Sequence, residues 1–267
     1  MRRLILSIGA MLITATHLSA WNGEVVVSTP NTAMVLHANE GEDLRMDYYG
    51  TKAVSLQELR DAGADYNFPA LPAFGTVDMI HLPAIQVQHA NGDQNLQDKL
   101  LPVTVQVFYK AYKNVDIIET WTEISHAEKK TVTLKRYDSG HLVVRRGDVW
   151  LTHMHGDWAA EAAITQEPLT PGLQVIRNTD GARNAHCDAP ELMLSLDGKP
   201  MENSGRTIGA ALCWSGNYEL RINTNNKKEH HLYAGIDPQS SEYVLDPKEV
   251  FATPHLALTY STEGMGG

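Results

Sequence analysis

The sequence is poor in the features that identify several specialised classes of protein. It has only two cysteines in 267 residues, and charged residues make up 20% of the chain. A Gly-X-Y period, sustained heptads and biased tracts are all missing, which excludes a collagen-like rod, a coiled coil and a disordered chain. The hydrophobic content is an ordinary 43%. The chain is therefore long and apolar enough for one large domain, or two small ones, with a buried core.

Positive charge and catalytic motifs are also scarce. Lys and Arg number 22 against 32 Asp and Glu, so the formal net charge is −10 with His neutral. Because basic clusters are missing, the composition argues against nucleic acid and membranes as partners. A Gly-rich phosphate loop, a Ser-centred elbow and a Cys-x-x-Cys motif are absent, and the carboxylates form no acid–base signature. We therefore predict no catalytic residue, metal or cofactor in this chain.

The longest apolar stretch is short and lies at the N-terminus. Arg2 and Arg3 precede the apolar residues Leu4–Ala15, and Leu18-Ser19-Ala20 ends in a small residue suited to cleavage. This is the pattern of a secretory signal peptide, and the stretch is too short to span a bilayer stably. We expect residues 1–20 to be a signal peptide, residues 21–267 to form the mature domain, and the protein to be exported, either periplasmic or extracellular.

Export makes the state of Cys187 and Cys213 relevant. A disulfide between them would contribute about 3 kcal/mol if it formed without strain. The alternative is two half-buried thiols, one in a loop and one in an apolar strand. The distance between the two Cα atoms decides between these readings, and the sequence does not supply it.

Period-two alternation of apolar and polar residues dominates the chain after residue 20. It is clearest in Val103–Lys110, Thr131–Lys135 and Tyr218–Asn223. Such alternation is typical of antiparallel strands that bury one face and expose the other to water. Further short runs are predicted to be strands: Glu24–Ser28, Met34–His37, Leu44–Tyr49, Ala84–Gln88, Ile117–Ile124, Val149–His153, Leu192–Leu196, Ile208–Trp214 and Leu256–Tyr260.

Turn sequences such as Asn91-Gly92-Asp93 and Pro171-Gly172 separate these runs. Only Ser55–Ala64 has the spacing of a helix. The sequence therefore predicts an all-β fold, a large antiparallel β-sandwich (supersandwich) with at most one short helix. A fold class by itself implies no function.

The sharpest local signal is Thr152–Trp158, in which His153, His155 and Asp157 are spaced by two. This spacing resembles the His-x-His-x-Asp-His zinc signature of metallo-β-lactamase-like hydrolases. Trp158 stands where that signature has its last His, and the signature's alternating strands and helices are not predicted here. We favour the alternative, polar residues at the end of a strand that leads into a turn.

Two other polar clusters are interpreted as structural. His186, Asp188 and Glu191 lie close together in a predicted loop and are read as solvated residues rather than a catalytic group. Glu229-His230-His231 is predicted to be an exposed strand edge, where charge discourages unwanted pairing.

Aromatic residues offer a different hypothesis. Five tryptophans and ten tyrosines supply stacking surfaces that suit sugar rings, although core or cross-strand packing is the commoner role of each one. A stand-alone carbohydrate-binding β-sandwich is therefore an alternative function, and it requires a concave aromatic face.

A series of short blocks occurs in order between Asn31 and the C-terminus. They are Leu44–Gly50, Pro69–Val87, His155–Glu161, Gly181–His186 with Pro190, Leu212–Asn217, Gly235–Pro238 and Glu249–Pro254. Each block alone is a weak signal. In this order they resemble the N-terminal domain of glycoside hydrolase family 36 α-galactosidases, including the family's His-Gly-x-Trp-x-x-Glu and Ser-Gly-Asn segments.

The resemblance implies a β-sandwich that leads into a (β/α)₈ barrel carrying both carboxylates of a retaining glycosidase. The chain ends at Gly267, about where the family's chain crosses towards that barrel, so the barrel and both catalytic aspartates are expected to be absent. The resemblance thus implies the N-terminal part of an exported α-galactosidase that removes terminal α-linked galactose from oligosaccharides such as melibiose or raffinose. The implied partners are the α-galactoside, the barrel and further copies of the chain, and this chain alone is expected to be inactive.

One loop is implied to contact substrate. In the family, the loop after an aromatic residue and Gly often runs Asp-Phe-Arg and reaches towards the sugar pocket. Here the corresponding loop is Phe74–Ile80, with Asp78-Met79-Ile80 in place of Asp-Phe-Arg. Phe74, Asp78 and Met79 are therefore the implied substrate-binding residues at the pocket rim. For Asp78, a turn-forming role is the alternative.

Overall fold

A computed structural model describes residues 3–8, 11–14, 23–38, 43–52, 68–74, 82–94, 103–145, 147–183, 188–239 and 242–267. Within these ranges the chain forms strands, turns and irregular segments but no helix. The predicted helix Ser55–Ala64 lies outside the described residues. The all-β prediction is confirmed.

Twenty strands are described along the chain. They are β1 (Arg3–Ile8), β2 (Met11–Thr14), β3 (Gly23–Ser28), β4 (Thr32–Ala38), β5 (Arg45–Thr51), β6 (Phe68–Pro69), β7 (Ile85–Gln88), β8 (Val103–Ala111), β9 (Ile117–His126), β10 (Val132–Arg145), β11 (Trp150–His155), β12 (Ala163–Pro168), β13 (Gly172–Asn178), β14 (Asp188–Ser195), β15 (Thr207–Leu212), β16 (Tyr218–Thr224), β17 (Glu229–Ile236), β18 (Tyr243–Leu245), β19 (Val250–Ala252) and β20 (Leu256–Ser261).

The strands form three sheets. The largest has the order β12-β11-β14-β15-β20-β9-β8-β1-β2, with β19 also paired to β9. A six-stranded sheet has the order β13-β16-β17-β10-β18, with β7 also paired to β10, and β3-β4-β5-β6 form a four-stranded sheet. Among the described strands, every pairing is antiparallel except that of β1 with β8.

A shared apolar core holds the sheets together. Strand β9 shows why the sequence folds this way, because its residues alternate strictly between half-buried and buried positions. The core joins Leu194, Ile208 and Leu258 of the largest sheet to Leu142, Leu220 and Leu232 of the six-stranded sheet. Each fully buried leucine contributes about 1.5–3 kcal/mol relative to exposure. Two sheets that share one core in this way form a β-sandwich.

Strand β17 corrects one prediction. Glu229, His230 and His231 are only 9%, 1% and 0% exposed, so the predicted exposed edge is wrong. The strand lies between β16 and β10 inside the six-stranded sheet. Its polar side chains tolerate burial because they have partners: His230 Nδ1 is 2.9 Å from Thr224 Oγ1, and Glu229 accepts a hydrogen bond from Asn225 at 2.6 Å.

Strands β1 and β2 fall inside the predicted signal peptide. They extend the largest sheet beyond β8, so cleavage after Ala20 would make β8 the edge strand of that sheet. The cleavage itself stays a prediction. In the part of the chain that the structure describes, we find no helix with the length and apolarity needed to cross a membrane.

Candidate functional site

The predicted rim loop begins at Phe74, the one implied substrate-binding residue that the structure describes. Asp78 and Met79 lie outside the described residues. The Phe74 amide donates to the carbonyl of Ile85 at 2.9 Å, and the Ala84 amide donates to the carbonyl of Pro72 at 2.7 Å. These bonds hold residues 72–74, where the loop begins, beside residues 84–85, which follow it. The implied sugar contacts of the loop stay a prediction.

A buried ionic cluster lies against the returning end of this loop. Arg221 on β16 donates to the carboxylate of Asp138 on β10 and, at 3.4 Å, to the carbonyl of Pro83. The Asp138 amide donates to the carbonyl of Ala84 at 2.9 Å. Burial raises the pKa of Asp138, and the charges of Arg221 and Arg136 only partly oppose that rise. The cluster therefore ties residues 83–84 to the six-stranded sheet.

The cluster is possible because a glycine separates its two acids. Asp138 and Glu219 both pair with Gly235, one from each side of β17. A Cβ on Gly235 would lie 2.8 Å from the Cα of Asp138, so a side chain there would push β10 away. The side chain of Arg221 crosses β17 near Gly235, with its guanidinium 4.8 Å from the ring centre of Tyr233. This gives a physical reason for the glycine that begins the Gly235–Pro238 block.

Sequence reasoning missed this cluster. The alternation in Tyr218–Asn223 predicts that Glu219 and Arg221 face water, and that prediction is wrong because both side chains are buried. The ionic partners explain the burial: Glu219 Oε1 lies 3.1 Å from Arg136 and 2.9 Å from Arg221 Nε. The available signal was that Glu219 and Arg221, two opposite charges, share one face of the predicted strand. Their partners Arg136 and Asp138 lie on β10, which the sequence alone does not place beside them.

The His-x-His-x-Asp segment does not assemble as the zinc hypothesis requires. His155 Nδ1 donates to Asp188 Oδ1 at 3.1 Å, and His153 Nδ1 lies 3.3 Å from the same oxygen without the alignment of a hydrogen bond. Asp157 instead accepts from the amide of Trp158 at 2.7 Å. Among the described residues no group of three or more His, Cys, Asp or Glu side chains is suited to hold a metal ion. The segment is a strand end and turn, as favoured from the sequence.

Asp188 is thus a cross-strand partner rather than a member of a loop cluster. It begins β14 and pairs in register with His155 on β11. Its carbonyl also accepts a hydrogen bond from the hydroxyl of Tyr218. His186, which the sequence groups with it, lies outside the described residues.

Only one of the two cysteines lies in the part of the chain that the structure describes. Cys213 is a free, exposed thiol, placed just after β15 ends rather than half-buried in a strand. Cys187 lies outside the described residues.

A cleft of about 480 Å³ opens beside Cys213. Its wall is the indole of Trp214, which is 40% exposed. Glu119 of β9 and His255 face it, and the Nδ1 of His255 is 3.1 Å from Glu119 Oε2. From the sequence, Trp214 was one of five tryptophans and part of the Leu212–Asn217 block, and nothing pointed to Glu119 or His255 as its neighbours in a cleft.

Comparisons with known proteins identify the fold and the family. The glycosyl hydrolase family 36 N-terminal domain matches residues 93–246, more than half of the chain. The α-galactosidase AgaA of Geobacillus stearothermophilus is 27% identical over 190 residues, which is 70% of this chain and 26% of that protein. α-Galactosidase 2 of Pediococcus pentosaceus is 26% identical over 173 residues, which is 65% of this chain and 24% of that protein. The chain thus spans about a quarter of the length of these relatives.

Solved structures agree in fold. The crystal structure of the α-galactosidase AgaB from Geobacillus stearothermophilus aligns with 92% of this chain and 41% of its own, at a TM-score of 0.80 and 20% identity. An AgaA variant in complex with raffinose aligns with 91% of this chain and 41% of its own, at a TM-score of 0.79 and 19% identity. The ordered blocks, the all-β sandwich and the family match agree: this chain belongs to the glycosyl hydrolase family 36 N-terminal domain family.

Proposed function

We propose that the chain is the N-terminal β-sandwich of an exported retaining α-galactosidase, which removes terminal α-linked galactose from oligosaccharides. The observation that carries this proposal is the family match over residues 93–246. The relatives it resembles are α-galactosidases about four times its aligned length. In this proposal the hydrolysis is carried out by a (β/α)₈ barrel that is not part of these 267 residues. The 267-residue chain by itself hydrolyses nothing.

The first role of the domain is to support the barrel, and an exposed apolar strip suits that role. Trp158, which precedes β12, is 79% exposed, and Ile164 on β12 is 67% exposed. Leu173 and Val175 on β13 are also exposed. Strands β12 and β13 lie at the edges of their sheets, linked by a 3.3 Å hydrogen bond from Gln174 to Glu167. Exposed apolar side chains on open sheet edges are typical of a surface that a partner covers. We assign this strip to the barrel.

The second role is to shape the rim of the sugar pocket. The hydrogen bonds between residues 72–74 and residues 84–85, on either side of the loop, support this role, as does the buried Arg221–Asp138 pair next to Pro83. They fix the chain from which the loop leaves and to which it returns. In this proposal, Asp78 accepts hydrogen bonds from a sugar hydroxyl, with Phe74 and Met79 beside it. Association of several copies and export through residues 1–20 belong to the same proposal.

The deciding experiment begins with the DNA that follows the codon for Gly267. We expect an in-frame barrel with two catalytic aspartates, and we expect the complete reading frame to release nitrophenol from p-nitrophenyl α-galactoside. The 267-residue chain and an α-glucoside substrate are the matched controls, both expected to show no release. A stop codon with nothing barrel-like after it, or hydrolysis by the 267-residue chain alone, would overturn the proposal.

A further inference from the structure

We propose that the cleft formed by Glu119, Trp214 and His255, here called the Trp214 cleft, is a non-catalytic binding site for a neutral pyranose ring. The cleft is an open groove of about 480 Å³ on the protein surface. None of its residues belongs to the Phe74–Ile80 loop, and the inference concerns the 267-residue chain itself, whether or not a barrel follows it.

Trp214 forms a flat wall that is fixed before any ligand arrives. Its Nε1 donates to the carbonyl of Asn217 at 3.1 Å, so the indole lies over the turn that follows it. Gly216 makes room for the ring, because a Cβ there would lie 2.8 Å from Nε1. A side chain that is already ordered loses little conformational entropy on binding. The indole, on a residue that is 40% exposed and lines the cleft, is therefore a prepared surface for the C–H face of a sugar ring.

A polar pair lines the same cleft as Trp214. Glu119 accepts a hydrogen bond from the Tyr112 hydroxyl at 2.9 Å and one from His255 Nδ1 at 3.1 Å, one on each oxygen. Oε1 has a second lone pair for a ligand hydroxyl, whereas Oε2 also lies 3.6 Å from Lys110 Nζ. The Nε2 of His255 has no hydrogen-bond partner among the described residues and supplies a second polar contact. An acceptor pair of this kind suits neighbouring hydroxyl groups.

Aromatic stacking holds the polar pair rigid. The His255 ring stacks on Trp121 with centroids 4.3 Å apart and an interplanar angle of 8°, and Trp121 stacks on Phe108 at 4.9 Å. The Thr253 hydroxyl, two residues before His255, accepts a hydrogen bond from the amide of Thr122 on β9. The imidazole therefore presents its free edge to the cleft in one orientation.

The charges of the cleft favour a neutral ligand. Burial raises the pKa of Glu119, but hydrogen bonds from Tyr112 and His255 and the charge of Lys110 more than reverse this, so the pKa lies below its ordinary value. Glu119 is ionised at neutral pH, which disfavours anions, while Lys110 at 3.6 Å offsets its attraction for cations. An entirely apolar ligand would strip water from the carboxylate without replacing its hydrogen bonds. A sugar ring is neither an anion nor a cation, and it combines an apolar face with several hydroxyls that can replace the lost water.

The test is a titration of the folded 267-residue chain with D-galactose, D-glucose and raffinose, followed by tryptophan fluorescence and calorimetry. Mannitol, a polyol without a ring face, is the ligand control. We expect saturable binding with a Kd of about 1–10 mM for at least one of the three sugars and none for mannitol. Absence of saturation up to roughly 50 mM for all three sugars would overturn the proposal.

Variants locate the site. Trp214→Ala and Glu119→Gln are each expected to weaken binding by about tenfold or more, and Gly216→Ala to weaken it by displacing the indole. Trp158→Ala, which removes another exposed indole, is the matched control and should bind like the parent chain. Thermal unfolding of each variant confirms that it is folded, and the isosteric Glu119→Gln change keeps the test valid if Trp214→Ala is unstable. Equal binding by the parent, Trp214→Ala and Glu119→Gln would also contradict the proposal. Sugar binding by the 267-residue chain is measured without any galactosidase activity. A failure of the binding proposal can therefore be told apart from a failure of the proposed α-galactosidase function.

Discussion

Arg221 reaches across strand β17 to form an ion pair with Asp138, and the two side chains are only 5% and 1% exposed. The strands that carry them, β16 and β10, are not neighbours in the sheet. The pair therefore fixes the spacing of three strands at once, next to the chain that returns from the predicted rim loop.

This arrangement predicts a large effect of breaking the pair. Arg221→Met leaves the buried Asp138 with only the more distant Arg136, 3.8 Å away, and we expect a loss of up to about 3–5 kcal/mol in the free energy of unfolding. The double variant Asp138→Asn, Arg221→Met removes both charges and should regain part of that loss. Urea unfolding of the parent, the single variant and the double variant measures both effects. A double variant less stable than Arg221→Met would show that the uncompensated charge is not the cause.

Acid should destabilise the domain through His230. Burial lowers the pKa of His230 below its ordinary value of 6.5. Between that lowered pKa and 6.5 the unfolded chain binds more protons than the folded chain, so the free energy of unfolding falls as the pH drops through this window. Thermal unfolding between pH 7.5 and pH 5.5 should show a smaller loss for His230→Gln than for the parent chain. Identical pH slopes for the two proteins would exclude His230 as the source.

We expect that no side chain can be accommodated at Gly264, near the C-terminal end of the described chain. Its φ is +84°, and a Cβ would lie 2.7 Å from the amide nitrogen of Ser204. Its amide also donates to the carbonyl of Gly205 at 2.8 Å. We expect Gly264→Ala to cost about 1–3 kcal/mol or more, since backbone strain and a clash with backbone atoms add together.

Gly198→Ala is the matched control for this prediction. Gly198 also has a positive φ, +101°, but a Cβ there would meet nothing within 4 Å. Its substitution should therefore cost less than Gly264→Ala when both melting temperatures are compared with the parent. Equal shifts in the two variants would mean that the clash contributes nothing.

Cys213 should react with thiol reagents in the folded protein, because it is a free, exposed thiol. Burial of part of its surface and the charge of Glu119 raise its pKa, so the reaction should be slow at neutral pH and faster as the pH rises. Since Cys213 borders the Trp214 cleft, a sugar that fills the cleft should slow labelling further. Mass spectrometry of iodoacetamide-treated protein measures this, and complete protection without sugar would indicate a disulfide with Cys187.

Local alternation located many strands correctly. Strands β8, β15 and β20 follow the predicted runs closely, because each has apolar residues at every second position. Strands β12 and β13 were not predicted, and β17 was predicted only as an exposed strand edge at Glu229-His230-His231. The first two are largely exposed at sheet edges, and β17 carries polar residues that are buried, so none of them has the apolar–polar pattern that marks a half-buried strand.

The sequence by itself determined the fold class, the order of the family blocks and the absence of a local catalytic motif, because these depend on spacing along the chain. Only the tertiary structure decided which polar residues meet. His155 meets Asp188 across 33 positions, and His255 meets Glu119 across 136. The same pairing between distant strands buries the charges of Glu219 and Arg221, since a polar side chain can leave water only where another strand supplies its partner.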